Sequence, residues 1–248
     1  MSRNGQDPGA VLRFTFPMAV GDTFTWHAHD RHQLAWATSG VLTVRAVAGT
    51  WVLPPTRALW IPAHFEHETS ASSVTTMRSL YFDPARCPVA WPAPQPVAAP
   101  PLLGELIVHL TDAELTASQR QRAHAVLFDL LEPVAVATIE VTMPTDPRAL
   151  DVARGLIANP ADGRTLAGWG RAVGASGRTL TRAFLNDTGV SFSRWRTAVR
   201  LRAALPRLAA EEPVANVAWE VGYRTPSAFV AAFRRETGLT PGAYFQAR

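Results

Sequence analysis

Two sets of residues in this 248-residue chain have the chemistry to bind something. The first is rich in histidine: His27, His29, His32, His64 and His67, with Gln33 among them. His27 and His29 alternate with Trp26 and Ala28, so on a strand they face the same side. Neutral imidazole ligates divalent transition metals through either ring nitrogen. The competing roles are a histidine-lined pocket for an organic molecule and a structural hydrogen-bond network, and His32 and His64 are expected at the surface or rim. The second set lies far along the chain: Ser176, Arg178, Thr179, Arg182 and Asn186, then Arg224, Thr225, Ser227 and Arg234. These side chains suit the base edges and phosphates of double-stranded DNA. Arg178, Arg182, Arg224 and Arg234 are the expected phosphate or guanine contacts.

Helical patterns position the second set. In Thr165–Asn186, Leu166, Trp169 and Val173 line one face at i, i+3 and i+7, and Gly174 ends that helix. Ser176 then caps a helix that buries Leu180, Ala183 and Phe184 and leaves Arg178, Thr179, Arg182 and Asn186 outside. Pro213–Thr237 repeats the plan. Val214, Val217, Ala218 and Val221 face inward, Gly222 stops the helix, Thr225 caps the next and Pro226 begins it. Phe229 and Phe233 point inward there; Ser227, Val230, Arg234 and Arg235 point out. Each unit is a helix, a glycine-containing turn and a capped helix, which is a helix-turn-helix. Residues 190–210 between them form one expected helix of about 30 Å, close to the roughly 34 Å of a DNA turn. Pro206 falls inside that helix, where it is expected to kink the helix or free a carbonyl. The alternative is a helical bundle or protein-binding module with no salt-sensitive affinity for DNA.

Leu150–Phe245 resembles the AraC/XylS family of transcription regulators. The match is carried by Ser176, Leu180, Arg182, Phe184 and Gly189, by Arg200, Leu201 and Ala204, and by Val221-Gly222-Tyr223, Ser227, Phe229 and Phe233. Gly238-Leu-Thr-Pro-Gly-Ala-Tyr244 is similar to the family's closing signature. Pro206 and Gly177 depart from the pattern; Gly177 either loosens the first recognition helix or allows close approach to backbone. The resemblance implies promoter binding at direct half-sites.

The histidines lie among short β-rich runs: Val11–Phe16, Leu34–Thr38, Val41–Val47, Ala58–Ile61 and Val74–Phe82. Gly21, His27, His29, Gln33 and Gly40 have a spacing similar to the first motif of the cupin barrels, with glutamine where glutamate is usual. Pro62-Ala-His64-Phe-Glu-His67 resembles the second motif, with His64 in place of glycine. The resemblance implies a metal site of His27, His29, Gln33 and His67 for Zn, Ni, Fe or Mn. Gln33 is a neutral, weaker ligand and otherwise supports the ligands from behind, and His32 competes for the metal. Trp26, Trp36, Trp51 and Trp60 fill the core or line a pocket. A metal-dependent cupin-type enzyme fused to a helical module is the alternative function, but no nucleophile constellation accompanies the histidines, so no enzyme is expected.

Pro88, Pro92, Pro94, Pro96, Pro100 and Pro101 make residues 88–101 a stiff, strand-incompatible connector. Helices Leu102–Leu110 and Ser118–Leu131 follow, the second with an apolar stripe of Val126, Leu127, Leu130 and Leu131. That stripe packs on its own β domain or forms a dimer seam. A second linker covers 133–147. The expected fold class is α+β with two domains: a cupin-like β-barrel sensor over 1–87, connector and dimerisation helices over 88–147, and an all-α domain with two helix-turn-helix units over 148–248.

Charge follows the same division. Residues 1–144 hold 9 Arg and 12 acidic residues, a net of −3; residues 145–248 hold 15 Arg and 8 acidic residues, a net of +7. The basic half suits a polyanion. Hydrophobic residues make up 47% of the chain, which excludes a disordered class, and no apolar run reaches the 18 residues of a membrane span. Met1–Ala10 is polar and has no signal core, and Cys87 is the single cysteine, so a cytoplasmic protein without disulfides is expected. The expected partners are promoter DNA, a small-molecule or metal effector, and a second copy in a homodimer.

Overall fold

Alternating apolar residues build the described part of the first half into nine strands. The computed structural model describes residues 12–46, 49–134, 139 and 141–245. Met1–Ala10, Val11 and Val47, about which the sequence made expectations, lie outside them. The strands are β1 Leu12–Met18, β2 Thr23–His27, β3 His32–Ala37, β4 Leu42–Ala46, β5 Gly49–Leu53, β6 Arg57–Ile61, β7 His67–Ala71, β8 Thr75–Phe82 and β9 Gln95–Ala98. They form a five-stranded sheet, β1-β8-β3-β6-β9, and a four-stranded sheet, β2-β7-β4-β5. Every described pairing is antiparallel.

The sheets share one core. Met18, Ala35, Ala37, Leu59, Ile61 and Met77 from the first meet Leu42, Val44, Trp51, Leu53 and Ala71 from the second. The five-stranded sheet is also covered behind, where Leu34, Trp36, Trp60, Leu80 and Phe82 pack on helices α1 Pro101–Asp112 and α2 Ala117–Asp129. Burial on both faces explains why β6 has no exposed position. Trp36, Trp51 and Trp60 are core residues, whereas Trp26 is 50% exposed.

Two expectations change here. Residues 95–98 are strand, not connector: β9 pairs with β6, setting Pro96 opposite Leu59. Proline is accommodated because β9 is a sheet edge, where a missing N–H breaks no ladder. The stripe on α2 is largely spent on its own domain, since Leu127 and Leu131 are buried in that second core and only Val126 remains exposed.

His124 on α2 packs edge-on against Phe82 with its ring Nε2 buried and unpartnered. Burial, with Arg120 nearby, holds its pKa down to about 4 from 6.5. Between those values the unfolded chain takes up a proton that the folded chain refuses, so stability is full above pH 6.5 and falls as pH drops towards 4. His67, described below, acts in the same direction. Urea unfolding at pH 7 and pH 5 is expected to cost wild type about 1–2 kcal/mol more than His124→Leu. Equal losses in the two proteins exonerate His124.

The chain divides into two compact units, one running up to residue 136 and including Phe245, the other spanning residues 137–244. The second is helical: α3 Pro147–Ala158, α4 Leu166–Ala172, α5 Gly177–Thr188, α6 Phe192–Ala209, α7 Val214–Glu220, α8 Pro226–Thr237 and α9 Pro241–Phe245. Its core joins Val152, Leu156, Trp169, Leu180, Phe184, Phe192, Trp195 and Val199. The segment just before α3 belongs to this unit. Trp195 Nε1 donates to the Thr142 carbonyl at 2.7 Å, and one Asp187 carboxylate oxygen accepts from the Thr145 and Asp146 N–H groups at 2.8 and 2.9 Å. Pro206 sits inside α6, which continues past it for its last turn. Among the described residues no helix is long and apolar enough to cross a membrane.

Candidate metal centre and nucleic-acid interface

The histidines converge because β2 contains an extra residue. Phe24 pairs with Thr69 but His27 pairs with His67, so the register shifts by one between them. Side chains alternate across a strand, and three positions normally change face; the bulge restores His27 to the inner side shared by Phe24 and His67. His29 is not on the strand, as alternation predicts, but in the turn after it. There its carbonyl accepts from the His64 N–H at 2.7 Å. The ligand atoms of His27, His29 and His67 all lie within 4.8 Å of one another. His64 is exposed, with φ 64°. His32 is engaged elsewhere: its ring lies over Trp60 and its Nδ1 accepts from the Ala63 N–H at 3.0 Å.

The tautomers follow from the hydrogen bonds. His27 Nδ1 meets the Thr25 carbonyl at 2.7 Å, His29 Nδ1 the Arg31 carbonyl at 2.6 Å and His67 Nδ1 the Phe65 carbonyl at 2.9 Å. A carbonyl only accepts, so each Nδ1 carries the proton and each neutral ring keeps a bare Nε2. His67 is 1% exposed and its Nε2 has no partner among the described residues. Burial holds its pKa at about 4, so the ring is neutral at pH 7. Gln33 is buried beside them, its amide oxygen 3.0 Å from His29 Nε2 and its amide nitrogen donating to Ser79 Oγ at 2.9 Å. Oxygen and bare nitrogen are both acceptors. Either a cation lies between them or the amide is turned, donating to His29 and accepting from Ser79. Tyr81, whose ring is 5.1 Å from that of His29, and Ser79 belong to this site and carried no spacing signal in the sequence.

In the second unit the first turn is tight. Gly170 O accepts from the Ala175 N–H at 2.8 Å, and a Cβ on Gly170 would lie 2.4 Å from the Ala175 carbonyl oxygen. Gly177 has only ordinary contacts at 3.8 Å, so the close approach belongs to Gly170. Ser176 Oγ accepts from the Thr179 N–H at 3.0 Å and Thr225 Oγ1 from the Ala228 N–H at 3.2 Å, as the caps predict. Leu180 and Phe184 on α5, and Phe229 and Phe233 on α8, are buried. Ser176, Arg178, Arg182, Asn186, Arg224, Thr225, Ser227 and Arg234 are exposed; Thr179 is half-buried. Among the described residues Arg178, Arg182, Arg224 and Arg234 have no ion pair, whereas Arg194, Arg207 and Arg235 each face a glutamate. Arg171 is a further exposed arginine, in the last turn of α4.

Residues 10–133 match the model of the AraC-like ligand binding domain, and residues 169–247 match that of a helix-turn-helix domain. The HTH-type transcriptional regulator NimR of Escherichia coli K12 is 30% identical over 255 residues, covering 98% of this chain and 92% of that protein. The chain belongs to the AraC family. This AraC-family protein is a DNA-binding regulator of transcription with a ligand-binding N-terminal domain. The chain is also similar to the HTH-type transcriptional regulator RipA of Corynebacterium glutamicum, 42% identical over 102 residues, which are 41% of this chain and 31% of that one. Among solved structures, ToxT of Vibrio cholerae is 9% identical with a TM-score of 0.39, covering 95% of this chain and 97% of that chain.

Proposed function

We propose that this AraC-family regulator holds a divalent transition metal (Zn, Ni, Fe or Mn) at His27, His29 and His67. Gln33, whose amide oxygen lies 3.0 Å from His29 Nε2, is the fourth ligand, and the site gates promoter binding by α5 and α8. The observation that carries this is the bare, buried Nε2 of His67, facing two rings whose Nδ1 atoms are also fixed by backbone carbonyls. An unpaired buried polar atom costs about 1–3 kcal/mol, and three imidazoles oriented from behind are a ligand set for such ions. When bound, the metal supplies a Lewis-acidic anchor for an effector. The DNA contacts are assigned to Arg178, Arg182, Arg224 and Arg234, with Thr179, Asn186 and Ser227 beside them and Ser176 and Thr225 as caps. The working form is a cytoplasmic homodimer, which light scattering checks.

The test is metal content by plasma mass spectrometry on untagged protein purified without chelator. About one metal per chain is expected, and none in His27→Ala/His67→Ala. A wild-type protein that stays metal-free after reconstitution makes the triad part of a pocket for an organic molecule.

A further inference from the structure

The metal ligands of this site carry no charge. Among the described residues no aspartate, glutamate or cysteine joins the three histidines. The groups behind the rings are backbone carbonyls rather than carboxylates. Gln33, the polar side chain that completes the set, is an amide. A divalent ion held here keeps both charges in a partly dry site, and a buried charge is costly until an opposite charge meets it.

Beside this centre lies an aromatic face that is open where it ought to be closed. On β1, Leu12, Phe14, Phe16 and Met18 share the side that looks into the intersheet core; Met18 and Phe16 pack there. Phe14, on that same side, is 45% exposed. Rings run from it without a break to the histidines: Phe16 to Phe14 at 5.7 Å, Phe14 to Tyr81 at 5.8 Å, and Tyr81 to His29 at 5.1 Å. Burial raises the Tyr81 phenol pKa, so it stays a hydrogen-bond donor.

We propose that the effector is an aromatic anion that chelates through oxygen, of the salicylate type, with its oxygens at the histidine centre and its ring against Phe14 and Tyr81. This deepens the reading above and rests on metal occupancy. Gln33 is the specificity residue: by leaving the metal's charge uncompensated it reserves that role for the ligand. A cationic or purely aliphatic ligand satisfies one half of the site or neither.

The test is calorimetric titration of the full-length, zinc-loaded protein with salicylate and with benzylamine, after metal content has been verified. Salicylate is expected to bind once per chain, at least tenfold more tightly than benzylamine and tenfold more tightly than to metal-stripped protein. Phe14→Ala is expected to weaken it about fivefold, with Phe14→Leu as the second variant should alanine unfold the domain. Gln33→Glu is expected to tighten zinc and to weaken salicylate at least tenfold, opposite changes that a merely structural role of Gln33 does not produce. Loaded protein that ignores salicylate, prefers benzylamine, or binds salicylate equally with glutamate at position 33 overturns the anion assignment and leaves the metal site standing. Failure to load zinc at all overturns both.

Discussion

Gly170→Ala is expected to destabilise the helical unit by about 3 kcal/mol, the cost of forcing an atom into a packed interior. The added methyl falls 2.4 Å from the Ala175 carbonyl oxygen, against backbone that cannot swing aside as a side chain does. Relief requires the turn to open, which loses the 2.8 Å bond from the Ala175 N–H to the Gly170 carbonyl and changes the angle at which α5 leaves α4. Gly174→Ala is the control. Gly174 has φ 64° and nothing within 4 Å of its would-be Cβ, so its substitution brings only the left-handed penalty of about 1 kcal/mol. Thermal melting of both variants, with DNA affinity measured below the transition, separates the two causes. Equal losses show that backbone conformation, and not contact, rules this turn.

Arg182→Ala/Arg234→Ala is expected to abolish tight promoter binding. One arginine lies on each recognition helix, both are exposed, and neither has an ion pair among the described residues, so their removal disturbs no fold contact of that kind. At about 1–3 kcal/mol each, the pair is worth roughly thirtyfold to more than ten-thousandfold in affinity. The salt dependence assigns the role. If both residues contact phosphate, the slope of log affinity against log salt falls by about 2 and the loss is uniform over sequences. If one reads guanine, preference relaxes at a single base pair. Wild-type affinity in the double variant removes α5 and α8 from the interface.

The helix-turn-helix units were legible because caps, stop glycines and a 3.6-residue apolar period are all local. Ser176, Thr225, Leu180, Phe184, Phe229 and Phe233 do what their positions announce. Pro206 falls in the last turn of α6, where little helix remains beyond it. The β half was read less completely. β5 and β9 went unrecognised as strands: β5 begins at a glycine, and β9 is an edge strand with a proline, whereas β2 was legible through its alternating histidines. The segment before α3 reads as linker because its anchors, Asp187 and Trp195, lie more than 40 residues later. Of the candidate metal site, the three histidines were visible in the spacing. Their tautomers, and the places of Ser79 and Tyr81, depend on cross-strand partners that no spacing encodes.

The extra residue in β2 has a consequence for descent. Deleting one codon between Phe24 and His27 removes the bulge yet keeps Phe24 opposite Thr69 and His27 opposite His67, so the histidine stays on the inner face. A lineage therefore keeps the histidine triad through a one-residue deletion here and discards it by substituting a histidine, while every residue of the DNA-reading half stays as it was. Close kin with the same helices need not share the same chemical cue.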